Sequence, residues 1–149
     1  MIQEGMNVHG SMLATLNKED GTVEVIKKDN LIVAVGFDFI CNAIAATTSR
    51  PSAMTHIAVG TGDTNTPNLK DTSLETELTR QSATYTHQAG TKVFTLKTTF
   101  APGKATGRIV EAGVINAATG GILFDRVTFL EINKGQWDSL TVQFTFTLS

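Results

Sequence analysis

The feature that most constrains this chain is its end. From residue 139 to 149, Leu140, Val142, Phe144, Phe146 and Leu148 alternate with Thr141, Gln143, Thr145 and Thr147. A period of two places one set on each face of an extended strand, which a helix cannot do. The apolar face of such a strand must be buried against a second layer, so the chain is expected to build a two-layer β fold. Residues 93–100 repeat the pattern, with Phe94, Leu96 and Phe100 against Thr95, Lys97 and Thr99.

The rest of the chain reads consistently with that frame. Residues 6–16 predict a strand with Val8, Met12, Ala14 and Leu16 on one face. Asp20-Gly21 is a hairpin signal, and residues 22–26 return from it. Residues 27–30 are polar and break the pattern. Residues 33–46 are the one good helix, with Ile40, Ala43 and Ile44 on a stripe and Phe37 one turn earlier. A short buried strand at 31–35 precedes it. Pro51 sits just past its end.

Further strands are expected at 55–59, 80–87, 108–116 and 122–129. Residues 74–79 suit a helical turn or an extended arm. Residues 60–69 and 133–138 read as loops. The total is about seven or eight antiparallel strands with one helix, spaced as in a sandwich. The fold class is mainly β: one jelly-roll-like β-sandwich domain over residues 1–149, with a short N-terminal arm at about residues 1–5.

Composition narrows the function. Charged residues make up 17% of the 149 and the net charge is −2, so the basic footprint of a nucleic-acid binder is missing. The pair Lys27-Lys28 is too short for a patch. No apolar stretch is long enough to span a bilayer as a helix. Residues 1–5 include Gln3 and Glu4 and lack the basic and apolar regions of a leader, so the cytoplasm is the expected place of synthesis. The single cysteine, Cys41, excludes an internal disulfide. It lies in the run Phe39-Ile40-Cys41 and reads as a buried structural thiol.

No motif carries catalysis. Gly60-Thr61-Gly62-Asp63-Thr64 follows a strand as a phosphate loop would. It lacks the third glycine of a dinucleotide site and the Gly-Lys-Ser/Thr of a P-loop, and Pro67 stands where a helix should open. A turn with φ > 0 at the glycines is the reading taken. Asp63, Asn65 and Asp71 depart from the spacing of a calcium loop, so no metal is assigned. His9, His56 and His87 show no ligand spacing. His56, Glu111, Asp125 and Arg126 are not held together by any pattern, and Asp125 reads as an exposed or paired strand carboxylate. No cofactor and no enzyme activity is expected.

Arg80, Glu111 and Arg126 fall at apolar strand positions or at their edges. Isolated buried charge is very costly, so an Arg–Glu pair inside the sandwich or across a subunit contact is expected to satisfy them.

Ordered blocks carry a resemblance. They are the run from Ile57 to Gly62 (IAVGTG), that from Asp71 to Arg80 (DTSLETELTR), that from Glu111 to Ala117 (EAGVINA), and that from Gly120 to Val127 (GGILFDRV). Asn30 to Ile40, Ile132-Asn133-Lys134 and Asp138 to Val142 add to them. Together, over residues 30–149, they resemble small β-sandwich structural proteins of tailed bacteriophage virions, capsid cement or decoration proteins and tail-associated proteins. The resemblance implies assembly on a virion in the host cytoplasm and carries no catalytic residues. Residues 6–26 lie outside it.

The leading expectation is a capsid cement protein that bridges major capsid subunits and pairs with further copies of itself as a homo-oligomer, with no nucleic acid or membrane as partner. Candidate contacts are Met1, Ile2 and Gln3 of the arm, Gly60, Gly62, Asp63 and Asn65 of the following loop, and Trp137, a residue type common at interface anchors. A Trp at the edge of the core is the alternative for Trp137. The first rival is a tail fibre, baseplate or tail-adaptor subunit binding tail proteins, although no heptad or fibrous repeat is present. The second is a carbohydrate-binding module, for which Tyr85 and Trp137 are the only Tyr and Trp.

Overall fold

The computed structural model describes residues 5–149, so Met1, Ile2 and Gln3 lie outside the described residues. The terminal alternation is strand β10, Ser139–Leu148. It pairs on one side with β1, Val8–Asn17, and on the other with β7, Val93–Phe100. The edges of this sheet are β2, Val23–Asp29, beside β1, and β6, Thr84–His87, beside β7. A second sheet runs in the order β3, Leu31–Ile32; β9, Leu123–Lys134; β8, Gly107–Ile115; β4, His56–Gly60; and β5, Glu77–Ser82. All pairings are antiparallel.

The fold is thus the mainly β sandwich with one helix, built from two sheets of five strands. Among the described residues there are ten strands, above the expected seven or eight. Four connections are hairpins, β1–β2, β4–β5, β6–β7 and β8–β9. Met12, Leu16, Leu96, Phe100, Phe144 and Phe146 from the first sheet meet Ile57, Val59, Ile109, Val114 and Val127 from the second in one core.

Three departures from the expected strands stand out, and the second of them adds a strand. First, β2 continues through Lys27 and Lys28 to Asp29, pairing with Leu13, Met12 and Ser11. An edge strand facing water tolerates such charges, so polarity there did not end it. Second, the expected strand at 80–87 is two strands. The chain leaves the second sheet after Ser82, turns at Ala83 and enters the first sheet at Thr84. Its two halves face different layers, which is why the apolar and polar residues are mixed. Residues 77–79, expected as part of a turn or arm, belong to β5. Third, β9 extends past Phe129 to Lys134 through a register shift opposite Ile109 and Glu111. The bulge breaks the period of two and leaves Leu130 87% exposed.

Helix α1, Ala34–Ala45, follows β3 and packs on β9. Gly36 is its buried residue: a Cβ there would stand 2.2 Å from the Phe124 carbonyl oxygen, so glycine permits the close approach. The stripe of Ile40, Ala43 and Ile44 is only half covered, and Ile44 is 69% exposed. Cys41 is exposed, contrary to the buried thiol expected. Consecutive helical residues lie about 100° apart, so Phe39 and Ile40 turn inward and Cys41 turns out. None of the helices among the described residues is long and apolar enough to cross a membrane.

Candidate functional site: a braced loop and an apolar groove

Along β4, Ile57 and Val59 enter the main core, so Ala58 between them faces the other side of the second sheet. There it joins Val33, Leu74, Ile115 and Leu123 in a small second cluster. The segment 61–76 therefore lies over the outer face of the sheet. This makes β8 buried on both faces, and Glu111 on it is fully buried.

The Glu111 carboxylate is completely used. Its Oε2 accepts from the backbone N–H of Gly62 at 2.9 Å and of Thr76 at 2.8 Å. Its Oε1 accepts from the Glu75 N–H at 2.8 Å and from Arg126 Nε at 3.0 Å. Arg126 is itself 1% exposed. Its Nη1 donates to Asp71 Oδ2 at 3.1 Å and its Nη2 to the Asn65 carbonyl at 3.3 Å. A buried charge is tolerated when it is paired and hydrogen-bonded, and here the Glu111 carboxylate accepts four bonds while Arg126 donates from each of its three nitrogens.

Gly60 and Gly62 are explained by this cluster and not by turn geometry. Neither has the positive φ expected. A Cβ on Gly60 would stand 2.4 Å from the Thr76 carbonyl oxygen and 2.6 Å from Glu111 Oε2. One on Gly62 would stand 2.5 Å from the same carboxylate oxygen. Glycine is needed so that backbone can close around a buried carboxylate.

The rest of the 60–69 loop is braced from outside. Asp63 Oδ2 accepts from Arg108 Nη1 at 2.8 Å, and Arg108 Nε also donates to Glu131. These two acids raise the guanidinium pKa of Arg108. Thr64 donates through its hydroxyl and its N–H to Glu75, which holds that carboxyl below its usual range. Asp63, Asn65 and Asp71 are therefore engaged by arginines. Among the described residues no group of three or more His, Cys, Asp or Glu is placed to hold a metal.

Arg80 stands apart from Glu111. It makes a two-pronged pair with Glu77 at 2.7 Å and donates through Nη1 to the Ala117 and Gly120 carbonyls, at 3.0 and 2.8 Å. It ties β5 to the turn between β8 and β9. Trp137 lies in the turn between β9 and β10, 62% exposed. Asp138 holds that turn by accepting from the N–H of Gly135 at 2.7 Å and of Glu19 at 2.9 Å. Trp137 is a surface residue, not a core-edge one.

Asp125 is the other buried carboxyl, and the sequence reading of it as exposed or ion-paired is corrected. It is fully buried, accepts from the Val114 N–H at 2.9 Å and pairs with the Asn30 amide. Burial pushes its pKa up from 3.8 to about 8, partly offset by those two hydrogen bonds. The side chain of Asn30 lies against Gly10, and its Oδ1 is buried without a partner.

The sequence did not point to the groove at one end of the sandwich. It measures about 870 Å³ and lies between the inner face of the first sheet and α1. Phe124 and Phe146, packed edge to face with ring centroids 5.1 Å apart, form part of its floor. Met6, Ile44 and Tyr85, respectively 58, 69 and 63% exposed, form part of its rim. Among the described residues Arg50 is its one charged lining residue, and its guanidinium is tied to the Ala43 carbonyl. The lining of the groove suits an apolar group.

No protein-family model, curated protein or solved structure matches the chain.

Proposed function

We propose that this chain is a structural subunit of a tailed-bacteriophage particle, and specifically a capsid cement protein that bridges major capsid subunits. The braced loop carries this reading. Residues 60–65 are held to the second sheet by Glu111, Arg126 and Arg108, whose partners come from β8, β9 and the 71–76 segment. A loop ordered before binding loses little entropy on docking, which favours a contact repeated many times on a lattice. The quoted sequence blocks that resemble virion proteins meet at this same place: Gly62, Glu75, Glu111 and Arg126 each come from a different block.

On this reading the loop with Asp63 and Asn65 is a primary contact, and the exposed Trp137 is a second. The partner is a capsid subunit, and the working location is the virion assembled in the host cytoplasm. Quantifying the protein in purified particles tests this. Many copies per particle, retained on tail-less heads, are expected. Recovery only with tails would instead support the tail-subunit reading, and absence from particles would end both.

A further inference from the structure

The groove between the first sheet and α1 leaves apolar side chains facing water. Met6, Ile44 and Tyr85 on its rim are each more than half exposed. Contiguous open apolar surface is a mark of binding sites. The volume of about 870 Å³ lies within the range of small-molecule sites, which combine an apolar lining with a few placed polar groups.

The placed group here is Arg50. Ser49 before it has a φ of 52°, a left-handed conformation seldom adopted outside glycine, and Pro51 after it fixes its own φ. Backbone held in this way clusters at ligand-binding positions. The bend returns the Arg50 guanidinium to α1, where Nε and Nη2 donate to the Ala43 carbonyl at 2.9 and 2.5 Å. That carbonyl lies in the last turn of the helix, where the helix itself offers no donor. Capping therefore accounts for two of the three nitrogens. Among the described residues Nη1 has no hydrogen-bond partner, and no carboxylate pairs with the guanidinium.

We propose that this groove binds a long-chain fatty acid, with its hydrocarbon chain between the first sheet and α1 and its carboxylate on Arg50 Nη1. Charge complementarity selects the head group. Among the described residues the lining holds one cation and no acid, which suits a ligand with a single negative charge. The lining also selects the body. Besides Arg50, only Ser52, Thr55 and Tyr85 bring a hydroxyl to it, and that of Thr55 is bonded to His56 Nδ1. A sugar or a peptide would bury hydroxyls or amides there without partners, a cost that a hydrocarbon chain does not carry. This inference concerns the chain itself and does not depend on its place in a virion.

Isothermal titration calorimetry of the full chain with dodecanoate, kept below its micelle concentration, tests it. Saturable binding of one molecule per chain is expected. Decanoate, shorter by two CH₂ groups, should bind about tenfold more weakly. Dodecyltrimethylammonium has the same chain and the opposite charge, and should bind weaker than dodecanoate by about tenfold or more. Arg50→Gln should weaken dodecanoate about tenfold and leave dodecanol unchanged. Ile44→Glu is a second variant that spares the helix cap. It places a like charge on the rim at a position 69% exposed, and should weaken dodecanoate but not the cation. Unchanged circular dichroism and melting temperature would show that each variant is folded. No saturable uptake of dodecanoate overturns the proposal, as do affinities indifferent to the charge of the head group. An Arg50→Gln loss shared equally by dodecanoate and dodecanol overturns it too. So does a wild type that dimerises at sedimentation equilibrium and is returned to monomer by Ile44→Glu, because a second copy would then fill the groove.

Discussion

Glu111 Oε1 and Arg126 Nε are 3.0 Å apart, in side chains only 0% and 2% exposed. Removing one partner of a buried pair strands the other, which typically costs about 3–5 kcal/mol. Glu111→Gln keeps the shape but replaces one accepting oxygen by a donor. That donor would point at N–H groups now bound by the carboxylate. The expected loss of stability is about 3 kcal/mol or more, read as a lower urea midpoint at unchanged slope. An unchanged midpoint would refute the role given to this pair.

Gly62→Ala tests the packing around the same carboxylate by another route. The added methyl carbon would lie 2.4 Å from Glu75 Cβ and 2.5 Å from Glu111 Oε2. Overpacking of this kind typically costs about 1–3 kcal/mol. The melting temperature should fall accordingly. Gly5, with open space around it, serves as the control, and Gly5→Ala should leave it unchanged.

These two sites also show how far the sequence could be read. Alternation was legible in β7 and β10 because one face is core and the other solvent. Glu111 and Arg126 stood out as charges at apolar positions, and the structure joins them. Their other partners were not legible. The N–H groups of Gly62, Glu75 and Thr76 are backbone donors, and no side-chain pattern announces them. The cover over the second sheet is irregular coil with a single buried apolar anchor, Leu74, so it has no period to detect. The turn at Ala83 was hidden because a strand that changes sheets also changes its inward face.

Cys41 offers a direct check on the orientation of α1. It is exposed, while its neighbours Phe39 and Ile40 pack against the core. A thiol reagent should therefore label native Cys41 at close to the rate seen in denaturant. Labelling that requires unfolding would mean the helix is rotated, with the apolar run buried as a whole.

Asp125 should make stability depend on pH in an unusual direction. Its pKa is raised in the folded state, from 3.8 to about 8, chiefly because burial disfavours the charged form. The folded chain thus holds a proton that the unfolded chain has lost, and stability falls as pH rises wherever that is so. The contribution is fully present below about pH 4, and is lost progressively up to about pH 8. Across that window each pH unit removes up to about 1.4 kcal/mol. Asp125→Asn has no carboxyl to ionise, so the difference in unfolding free energy between variant and wild type should grow in the variant's favour from pH 5 to about pH 8 and then level off. Such a comparison cancels the other titrating groups, which the two proteins share. A difference that stays flat across that range would show that Asp125 is ionised in the fold, with its charge met by more than Val114 N–H and the Asn30 amide.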